Sequence, residues 1–459
     1  MGDWIEQRSR RAAPVTSRGL CEVRDLVLRP ERDVEVLKRC PLVRFRLRPP
    51  VSLEQRLIVG HPEAARHIFE ENAGNYKREE RVGCVLAQLM GAGLVTGDDD
   101  LWEQHHGLVA PAIRSPDEAK LVRATVGATK QMLQRISGQA ASGIELFGEL
   151  RRIALQTAGA VLLDYEFGAE VEEFGSAFTR VIGELGERLM PFSLRLLPLG
   201  LLRETRLIRR RVEGLIAERR RTREHGTDLL AQLLTARRPE TRARLDDVAV
   251  RDLIVAVLFT AHEALACALN WCFLLLALHR KLQDRIQEQL DEVLGDSPVN
   301  TRNLERLELA HCAFDEALRL YPPVPRLTRV ATGDDTIMGY DVTAGTVVQI
   351  SIYALHHHPD YWSNPESFDP ARFSEQRAEG RHPFSYMPFG AGPHACLGKG
   401  LARNEATIVL AEVLRRYSIQ LAPGCRIEPE GKLSLRARYP LRFVLEPRRD
   451  VRAVKWLQK

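Results

Sequence analysis

A cysteine, Cys396, lies within the segment FGAGPHACLG, residues 389–398, where three glycines, a proline and a histidine surround it. A helix-like run of residues follows directly. A cysteine that precedes a helix faces the positive end of the helix dipole, which favours thiolate over thiol. Glycines such as Gly390 allow close backbone approaches, so the loop can direct N–H groups at the sulfur, while Phe389 shields one side. The segment predicts either a tuned thiolate ligand or a glycine-rich turn with an incidental core cysteine.

Other segments decide between these alternatives. FGAGPHACLG resembles the cysteine-loop signature of the cytochrome P450 family, Phe-x-x-Gly-x-x-x-Cys-x-Gly, with His394 at a position where that family has a basic residue. Four more segments match the family in the right order, namely WEQHH, EALR, YPPVPRLTR and FDPARF. The resemblance covers essentially the whole chain. It implies a mainly α fold with a small β subdomain and a long central helix over a haem.

The resemblance also implies residue roles. Cys396 would ligate the iron of haem b as a thiolate, and His105, beside His106, is expected to be a surface neighbour. The residues expected to bind or shield the haem are Trp102, His106, Arg329, Phe389, Gly390, His394, Cys396 and Gly398. Those expected to form a buried ion network behind it are Glu316, Arg319 and Arg372.

The chain departs from the family within the predicted long helix. The family usually shows Ala/Gly-Gly-x-Asp/Glu-Thr over its oxygen site, whereas this chain reads TAHEAL. Glu263 keeps the acid, Ala264 replaces the threonine and Ala261 replaces a glycine. Either the positions drifted without consequence, or the proton supply is altered. In the second case the candidate proton sources are Glu263 through water, Thr260, and a polar group of the substrate. Thr260 is expected to bond its own helix backbone instead.

Composition excludes several classes of function. With 459 residues, 44% of them hydrophobic and 28% charged, the chain is typical of a globular protein. The clusters Arg209–Arg211 and Arg219–Arg221 alternate with apolar residues at helical spacing, which indicates a solvated helix face rather than a nucleic-acid site. Adjacent residues cannot all face one ion, so the run His356–His358 does not predict a metal site.

The remaining features predict a cytoplasmic protein. The eight cysteines include no CxxC pair and are expected to be reduced. The N-terminus lacks an apolar region, so neither a signal peptide nor a membrane anchor is expected. The apolar stretch from Leu253 to Leu278 contains His262 and Glu263, and therefore predicts a buried helix rather than a membrane span.

We expect one domain over residues 1–459, with residues 1–20 irregular. Alternating apolar residues at 43–47 and the run at 57–59 predict a small sheet, and residues 336–340 and 347–352 predict further strands. A stretch without glycine or proline, residues 240–294, predicts the long helix. An apolar stripe after Cys396 predicts a last one.

The implied function is that of an oxygen-activating monooxygenase or oxidative-coupling enzyme on a small, largely apolar substrate, in bacterial secondary metabolism. The chain ends about sixty residues after Cys396, so electrons are expected from a separate ferredoxin and ferredoxin reductase, which would dock near Lys399 and Arg403. The alternatives are a peroxide-driven enzyme that needs no redox partner and a non-catalytic haem sensor. The expected pocket is mostly aliphatic, with Arg326 and Phe259 as exceptions.

Overall fold

The computed structural model describes residues 15–18, 28–38, 40–47, 55–97, 99–139, 143–189, 199–222, 226–237 and 243–448. The helices in these ranges are α1 Glu31–Leu37, α2 Pro62–Arg66, α3 Glu80–Met90, α4 Asp99–Arg114, α5 Glu118–Ile136, α6 Phe147–Leu163, α7 Val171–Leu189, α8 Leu199–Thr222, α9 Leu229–Thr235, α10 Asp247–Leu278, α11 Arg280–Leu294, α12 Thr301–Leu304, α13 Glu308–Leu320, α14 Ile352–His357, α15 Glu375–Ala378 and α16 Lys399–Leu414. A π-helical turn covers His67–Glu71.

The strands are fewer and shorter. They are β1 Val15–Arg18, β2 Leu42–Leu47, β3 Gln55–Val59, β4 Tyr76–Lys77, β5 Ile144–Glu145, β6 Arg326–Ala331, β7 Asp335–Ile337, β8 Tyr340–Val342, β9 Val347–Ser351, β10 Tyr417–Leu421, β11 Pro429–Gly431, β12 Leu435–Ala437 and β13 Arg442–Pro447. The described residues therefore confirm a mainly α fold with a minor β part.

The largest sheet has six strands in the order β1-β2-β3-β9-β6-β4. The predicted pairing of residues 43–47 with 57–59 is confirmed, because β2 and β3 are antiparallel with Val43 opposite Ile58. Strand β9 confirms the prediction for residues 347–352 except at Ile352, where Ser351 caps α14 by accepting the N–H of Ala354. The remaining sheets are β10-β13-β5, β11-β12 and β7-β8.

Two local predictions are wrong. Residues 336–340 do not form one strand: Met338 and Gly339 both adopt positive φ angles, 49° and 80°, which turn the chain between β7 and β8. Residues 15–18, within the segment predicted to be irregular, form β1, which pairs in parallel with β2. Residues 1–14 and 19–20 lie outside the described residues.

Helix α10 is the core of the molecule. Asp246 caps it by accepting the N–H of Ala249 at 2.8 Å, and it ends where His279 leaves the helical conformation and donates from Nδ1 to the carbonyl of Leu275 at 2.7 Å. Among the described residues it is the one helix long and apolar enough to cross a membrane, yet 83% of its most apolar window is buried in the protein. The prediction of a buried helix is confirmed.

The predicted ion network is fully buried. Arg319 and Glu316 have no exposed side-chain surface, and the Arg319 Nε and Nη2 atoms donate to the two Glu316 oxygens at 2.7 and 2.8 Å. The other three N–H groups of Arg319 donate to backbone carbonyls at 2.7 to 3.0 Å, those of His356, Pro365 and Ser367. Since a buried charge is tolerable only when its hydrogen-bonding groups are satisfied, this geometry holds α13 to the segment after α14.

Arg372 completes the network as predicted. Its Nε atom donates to Glu316 Oε1 at 3.3 Å, and its Nη2 atom donates to the carbonyl of Asn364 at 3.0 Å. The backbone N–H of Asp369 also donates to Glu316 Oε1, at 3.0 Å. Glu316 is therefore the common acceptor of two guanidinium groups and one amide.

The network extends to the cysteine loop through one histidine. His356 Nδ1 donates to the Arg319 carbonyl at 3.1 Å, and His356 Nε2 accepts the N–H of Met387 at 2.9 Å. Burial, with the neighbouring charge of Arg319, holds the pKa of His356 well below its ordinary value, so the ring is neutral. This arrangement connects the buried ion pair to the residue two positions before Phe389.

Replacing Glu316 by Ala leaves two buried guanidinium groups without their carboxylate. We expect a loss of about 3–5 kcal/mol of folding free energy and mainly insoluble or haem-free protein, measured by thermal unfolding and by the haem-to-protein absorbance ratio. Glu375→Ala, at an exposed position on α15, is the control and is expected to match the wild type. A fully haem-loaded Glu316→Ala protein with unchanged thermal stability would contradict the role assigned to the network.

Candidate active site

The cysteine loop closes on itself before α16 begins. The backbone N–H of Cys396 donates to the carbonyl of Phe389 at 2.8 Å, and the N–H of Gly390 donates to that of Met387 at 3.0 Å. The N–H of Ala395 donates to the carbonyl of Gly392 at 3.1 Å. These bonds form a rigid turn that presents the Cys396 side chain just before the first helical residue.

Two glycines make this turn possible. Gly390 and Gly392 both have positive φ angles, 69° and 68°, which residues with a Cβ rarely adopt. At Gly392 the space is also closed, because a Cβ atom would lie 2.1 Å from the carbonyl oxygen of Phe69 in the π-helical turn. The loop is thus seated directly on the backbone of the His67–Glu71 segment.

The Cys396 thiol is accessible although protein surrounds much of it. Its side chain is exposed, yet surrounding protein raises its pKa, and a hydrogen bond from the Gly398 backbone opposes that rise. Gly398 keeps this side of the sulfur open, since a Cβ atom there would lie 4.0 Å from Sγ.

Helix α10 has accessible residues near its centre. Along a helix whose central residues are almost all buried, Thr260 is exposed and Ala261 and Ala264 are partly exposed. These three positions share one side of the helix because they are spaced i, i+1 and i+4. The Thr260 hydroxyl donates back to the carbonyls of Ala256 and Val257 at 2.9 and 3.1 Å, which confirms that it bonds its own helix.

Three of the residues expected to bind or shield the haem contact one another. The Trp102 ring lies 4.6 Å from the His106 ring and 4.1 Å from the His394 ring, measured between centroids. The sequence interpretation missed Arg78, whose Nη2 atom lies 2.8 Å from His394 Nδ1. With arginine as the donor, Nδ1 is the acceptor and Nε2 carries the proton. In the sequence, only its basic side chain just before α3 could have indicated that Arg78 takes part in this cluster.

The surroundings of His106 indicate whether a carboxylate group of a cofactor could bind here. Its Nε2 atom is buried and has no hydrogen-bond partner among the described residues. Burial, together with Arg114, holds the pKa of His106 below its ordinary value. Buried polar atoms need a partner, and a carboxylate beside Trp102, His394 and Arg78 would supply one.

His105 is not the surface neighbour that was expected. It is buried, with 3% of its surface exposed, because it packs against Gly93, where a Cβ atom would come within 3.0 Å of Nδ1. Arg329, whose haem-binding role stays a prediction, lies beside Phe69. It is buried, donates from Nη1 to the Thr328 carbonyl at 2.8 Å and lies 5.0 Å from the Phe69 ring centroid. Phe69 thus contacts both Arg329 and the cysteine loop.

The acid of the altered motif is enclosed in an ion network. Glu263 Oε2 lies 2.8 Å from Arg151 Nε, and Glu263 Oε1 lies 3.0 Å from Arg436 Nε. The Ser434 hydroxyl donates to Oε1 at 3.1 Å. Burial alone would raise the pKa of Glu263, but Arg436 and then Arg151 hold it below its ordinary value. Nothing in the sequence motif indicated these partners, which lie more than 100 residues away along the chain.

Of the two residues named as exceptions in the aliphatic pocket, Arg326 directs its side chain to another part of the protein. Arg326 forms a two-point ion pair with Asp33, its Nε and Nη2 atoms donating at 2.6 and 3.0 Å. Phe259 is buried with its ring 6.3 Å from that of Phe178 on α7. The pocket prediction is therefore wrong for Arg326, which ties β6 to α1. For Phe259 it stays a prediction.

The histidine run after β9 separates its members. His357 stacks on Tyr353 with centroids 4.0 Å apart and donates from Nδ1 to the Tyr353 carbonyl. Burial lowers its pKa to about 3. His356 bonds Arg319 and Met387, whereas His358 accepts the N–H of Asp360. The described residues contain no cluster of three metal-ligating side chains.

The residues expected at the partner face lie next to the loop. Lys399 is exposed, with its Nζ atom 6.0 Å from the centroid of the Phe389 ring. Arg403, one helical turn further, forms an ion pair with Asp315 at 2.5 Å. The surface beside Cys396 therefore carries a solvent-facing lysine and an arginine whose charge is shared with a buried carboxylate.

Comparison with known proteins agrees with this geometry. The family model for cytochrome P450 matches residues 41–445. A monooxygenase of Streptomyces melanosporofaciens, cyclooctat-9-en-7-ol 5-monooxygenase, is 29% identical over 424 residues, which cover 89% of this chain and 88% of that protein. Protein LUTEIN DEFICIENT 5 of Arabidopsis thaliana is 28% identical over 393 residues, which cover 80% of this chain and 66% of that protein.

Solved structures share the fold. The crystal structure of the cytochrome P450DA heme domain superposes with a TM-score of 0.83 at 22% identity, covering 96% of this chain and 97% of that one. A second cytochrome P450, CYP102L1, gives a TM-score of 0.81, with coverage of 95% and 100%. The cofactor that this family and this loop imply is haem b, which the thiol, the glycine-lined turn and the propionate-side residues fit. The chain belongs to the cytochrome P450 family of haem-thiolate monooxygenases.

Proposed function

We propose that this protein activates O2 at a haem b and inserts oxygen into, or oxidatively couples, a small and largely apolar organic substrate in bacterial secondary metabolism. The observation that carries the proposal is the accessible Cys396 thiol in its glycine-containing loop, in the same chain as the accessible residues Thr260, Ala261 and Ala264 near the centre of α10. A thiolate-bound haem supplies O2 binding and the electron density that favours O–O cleavage.

The residues of this chain would hold the haem at three places. Cys396 would ligate the iron, with the Gly398 backbone N–H directed at the sulfur. Arg329 would pair with one propionate, and the cluster of Trp102, His106 and His394 with Arg78 would pair with the other. Charged donors make strong hydrogen bonds to carboxylates, so this set fixes the orientation of the ring.

The accessible side chains support an apolar substrate. Ala261 and Ala264 present only methyl groups, and Val324, 38% exposed, together with the partly exposed Leu327, adds further aliphatic surface. An apolar surface of this kind orients a ligand mainly by shape. The similarity to the bacterial monooxygenase named above, whose substrate name denotes an alkenol, supports a hydrocarbon skeleton that carries few polar groups.

The group that supplies the proton cannot be a side chain at position 264, where the family usually has a threonine. Ala264 has no hydroxyl, and the Thr260 hydroxyl is bound to its own helix. Glu263, an anion between two arginines, can pass a proton on only after it has accepted one from outside. A well-placed acid–base group contributes about 10²–10⁴-fold to such a step. We propose that a hydroxyl or amine of the substrate holds the water or proton that the family's threonine otherwise holds.

Electrons would come from a separate ferredoxin and its reductase in the cytoplasm. The exposed Lys399 beside the cysteine loop supports an acidic partner, because complementary charges steer such encounters. The missing hydroxyl at Ala264 favours a second candidate, a peroxide-driven enzyme that needs no redox partner. A third, a haem sensor, would show no turnover with either oxidant.

The experiment is to add ferredoxin, ferredoxin reductase and NADPH to the purified holoprotein and to follow O2 consumption with a library of apolar alcohols and hydrocarbons. The library is chosen first by the spectral change on binding. Faster O2 consumption with product formation supports the proposal. Product formed only with hydrogen peroxide identifies the peroxide-driven enzyme, and binding without turnover identifies the sensor.

The Ala264→Thr variant tests the substrate-assisted proton supply. With a substrate that carries the polar group, we expect product formed per NADPH to change little. With analogues that lack the group, the added hydroxyl is expected to raise this ratio and to lower peroxide release. A large gain on the polar substrate itself would show that the wild-type route is merely defective and would exclude substrate assistance.

The propionate-side residues are tested by haem retention. We expect His394→Ala, Arg78→Ala and Arg329→Ala each to accelerate haem transfer to apomyoglobin, because each leaves a buried carboxylate short of a donor. Arg377→Ala, which removes an exposed ion pair with Asp369, is the control and is expected to transfer haem at the wild-type rate. Unchanged transfer rates in all three variants would contradict the assignment.

A further inference from the structure

Glu263 takes half of its partners from a hairpin near the C-terminus. On the hairpin β11–β12, the Ser434 hydroxyl donates to Glu263 Oε1 and itself accepts from Arg436 Nε at 3.2 Å. Arg436 also pairs directly with Oε1, while Arg151 on α6 pairs with Oε2. The hairpin therefore contributes one charge and one hydroxyl to the carboxylate, and α6 contributes the second charge.

The hairpin is held firmly at its base. The backbone N–H of Leu435 donates to the carbonyl of Pro323 at 2.8 Å, and the Leu435 carbonyl accepts the indole N–H of Trp271 on α10 at 3.0 Å. Pro323 directly precedes Val324, which is part of the aliphatic surface described above. The position of Ser434 and Arg436 is thus determined by the same backbone that shapes the substrate side.

The turn of the hairpin contacts α7. Lys432 Nζ forms an ion pair with Glu187 at 2.9 Å, and a Cβ atom on Gly186 would lie 3.5 Å from Lys432 Cβ and 3.8 Å from Leu433 Cβ. Leu433 is partly buried against the main core. The hairpin consequently links α7 and the segment before β6 to Glu263.

We propose that Arg436 and Ser434 are positioning residues for Glu263, which hold its carboxylate ionised and fixed beside the accessible residues near the centre of α10, so that the hairpin determines the pH range of proton delivery. This inference deepens the proposed function and rests on it. An ionised carboxylate must first accept a proton from outside before it can pass one on. Removing the contacts that the hairpin makes to Glu263 would therefore change the pH at which its carboxylate is protonated.

The other groups around Glu263 do not replace these two residues. His262 directs Nδ1 to the carbonyl of Leu258 and is neutral, because burial lowers its pKa. Cys267 contributes only a weak contact, with Sγ 3.7 Å from Oε1. Arg151 carries the remaining positive charge. Removing Arg436 thus leaves the carboxylate with one charged partner.

The sign of the effect on stability follows from linkage. Because the folded-state pKa of Glu263 is depressed, its ion pairs stabilise the fold above the unfolded pKa, and this contribution is lost as pH falls through the folded pKa. Removing Arg436 raises the folded pKa. The stability difference between wild type and variant should therefore be largest near neutral pH and should shrink as the pH falls toward about 4.

The experiment compares thermal unfolding of holoprotein variants between about pH 4 and pH 8. Arg436→Gln is expected to show the shrinking difference, and Arg436→Lys to restore most of the wild-type profile. Arg438→Gln, two residues along and paired with Glu428 at the surface, is the matched control and is expected to give a small, flat difference. In a Glu263→Gln background, Arg436→Gln should lose its pH dependence.

A second readout concerns turnover. Without added substrate, with ferredoxin, reductase and NADPH, the pH profile of hydrogen peroxide release by Arg436→Gln should move upward by about one to three pH units, the usual effect of one nearby charge on a carboxyl. Ser434→Ala should move it in the same direction by less. An Arg436→Gln stability profile identical to that of Arg438→Gln would overturn the inference. If no variant consumes O2, the proposed function fails. The pH profiles of stability then still test whether Arg436 positions Glu263.

Discussion

The buried pair of Glu316 and Arg319 is the interaction on which the rest of this structure depends. Two opposite charges without solvent contact are stable only when every donor and acceptor is matched, and all five N–H groups of Arg319 are. Three of these bonds end on backbone carbonyls, one in α14 and two in the segment that follows it. Through the neutral ring of His356 the pair also determines where Met387 lies, and with it the turn that presents Cys396.

Much of this arrangement could be predicted from the sequence. The glycine pattern around Cys396 requires a backbone that only glycine adopts at two positions, and the structure confirms it with a close approach to Phe69. The start of the long helix was predictable from its Asp cap and from the absence of glycine and proline. Its end was not, because the stretch predicted as the long helix continues to residue 294, whereas α10 ends at Leu278 and α11 begins at Arg280. Glu316 and Arg319, three residues apart, share a helix face, so their pairing was also readable from the sequence.

The remainder depends on tertiary contacts that leave no local signal. Arg78 meets His394 across 316 residues of sequence, and Arg436 meets Glu263 across an interval of 173 (436 minus 263). In the sequence His105 is an ordinary polar residue on an amphipathic helix. Its burial follows from packing against Gly93, which only the folded structure shows. Arg326 fails as a pocket residue because Asp33, from a helix near the other end of the chain, offers a two-point partner.

The central claim is that Cys396, and no other cysteine, supplies the thiolate to the haem. The measurement is the absorption spectrum of the ferrous carbon monoxide complex, which has a strongly red-shifted Soret band when the opposite ligand is a thiolate. We expect this band in the wild type and in Cys312→Ala and Cys425→Ala, and its complete loss in Cys396→Ala. A Cys396→Ala protein that keeps the red-shifted band would contradict the assignment of the ligand and the account of the site built on it.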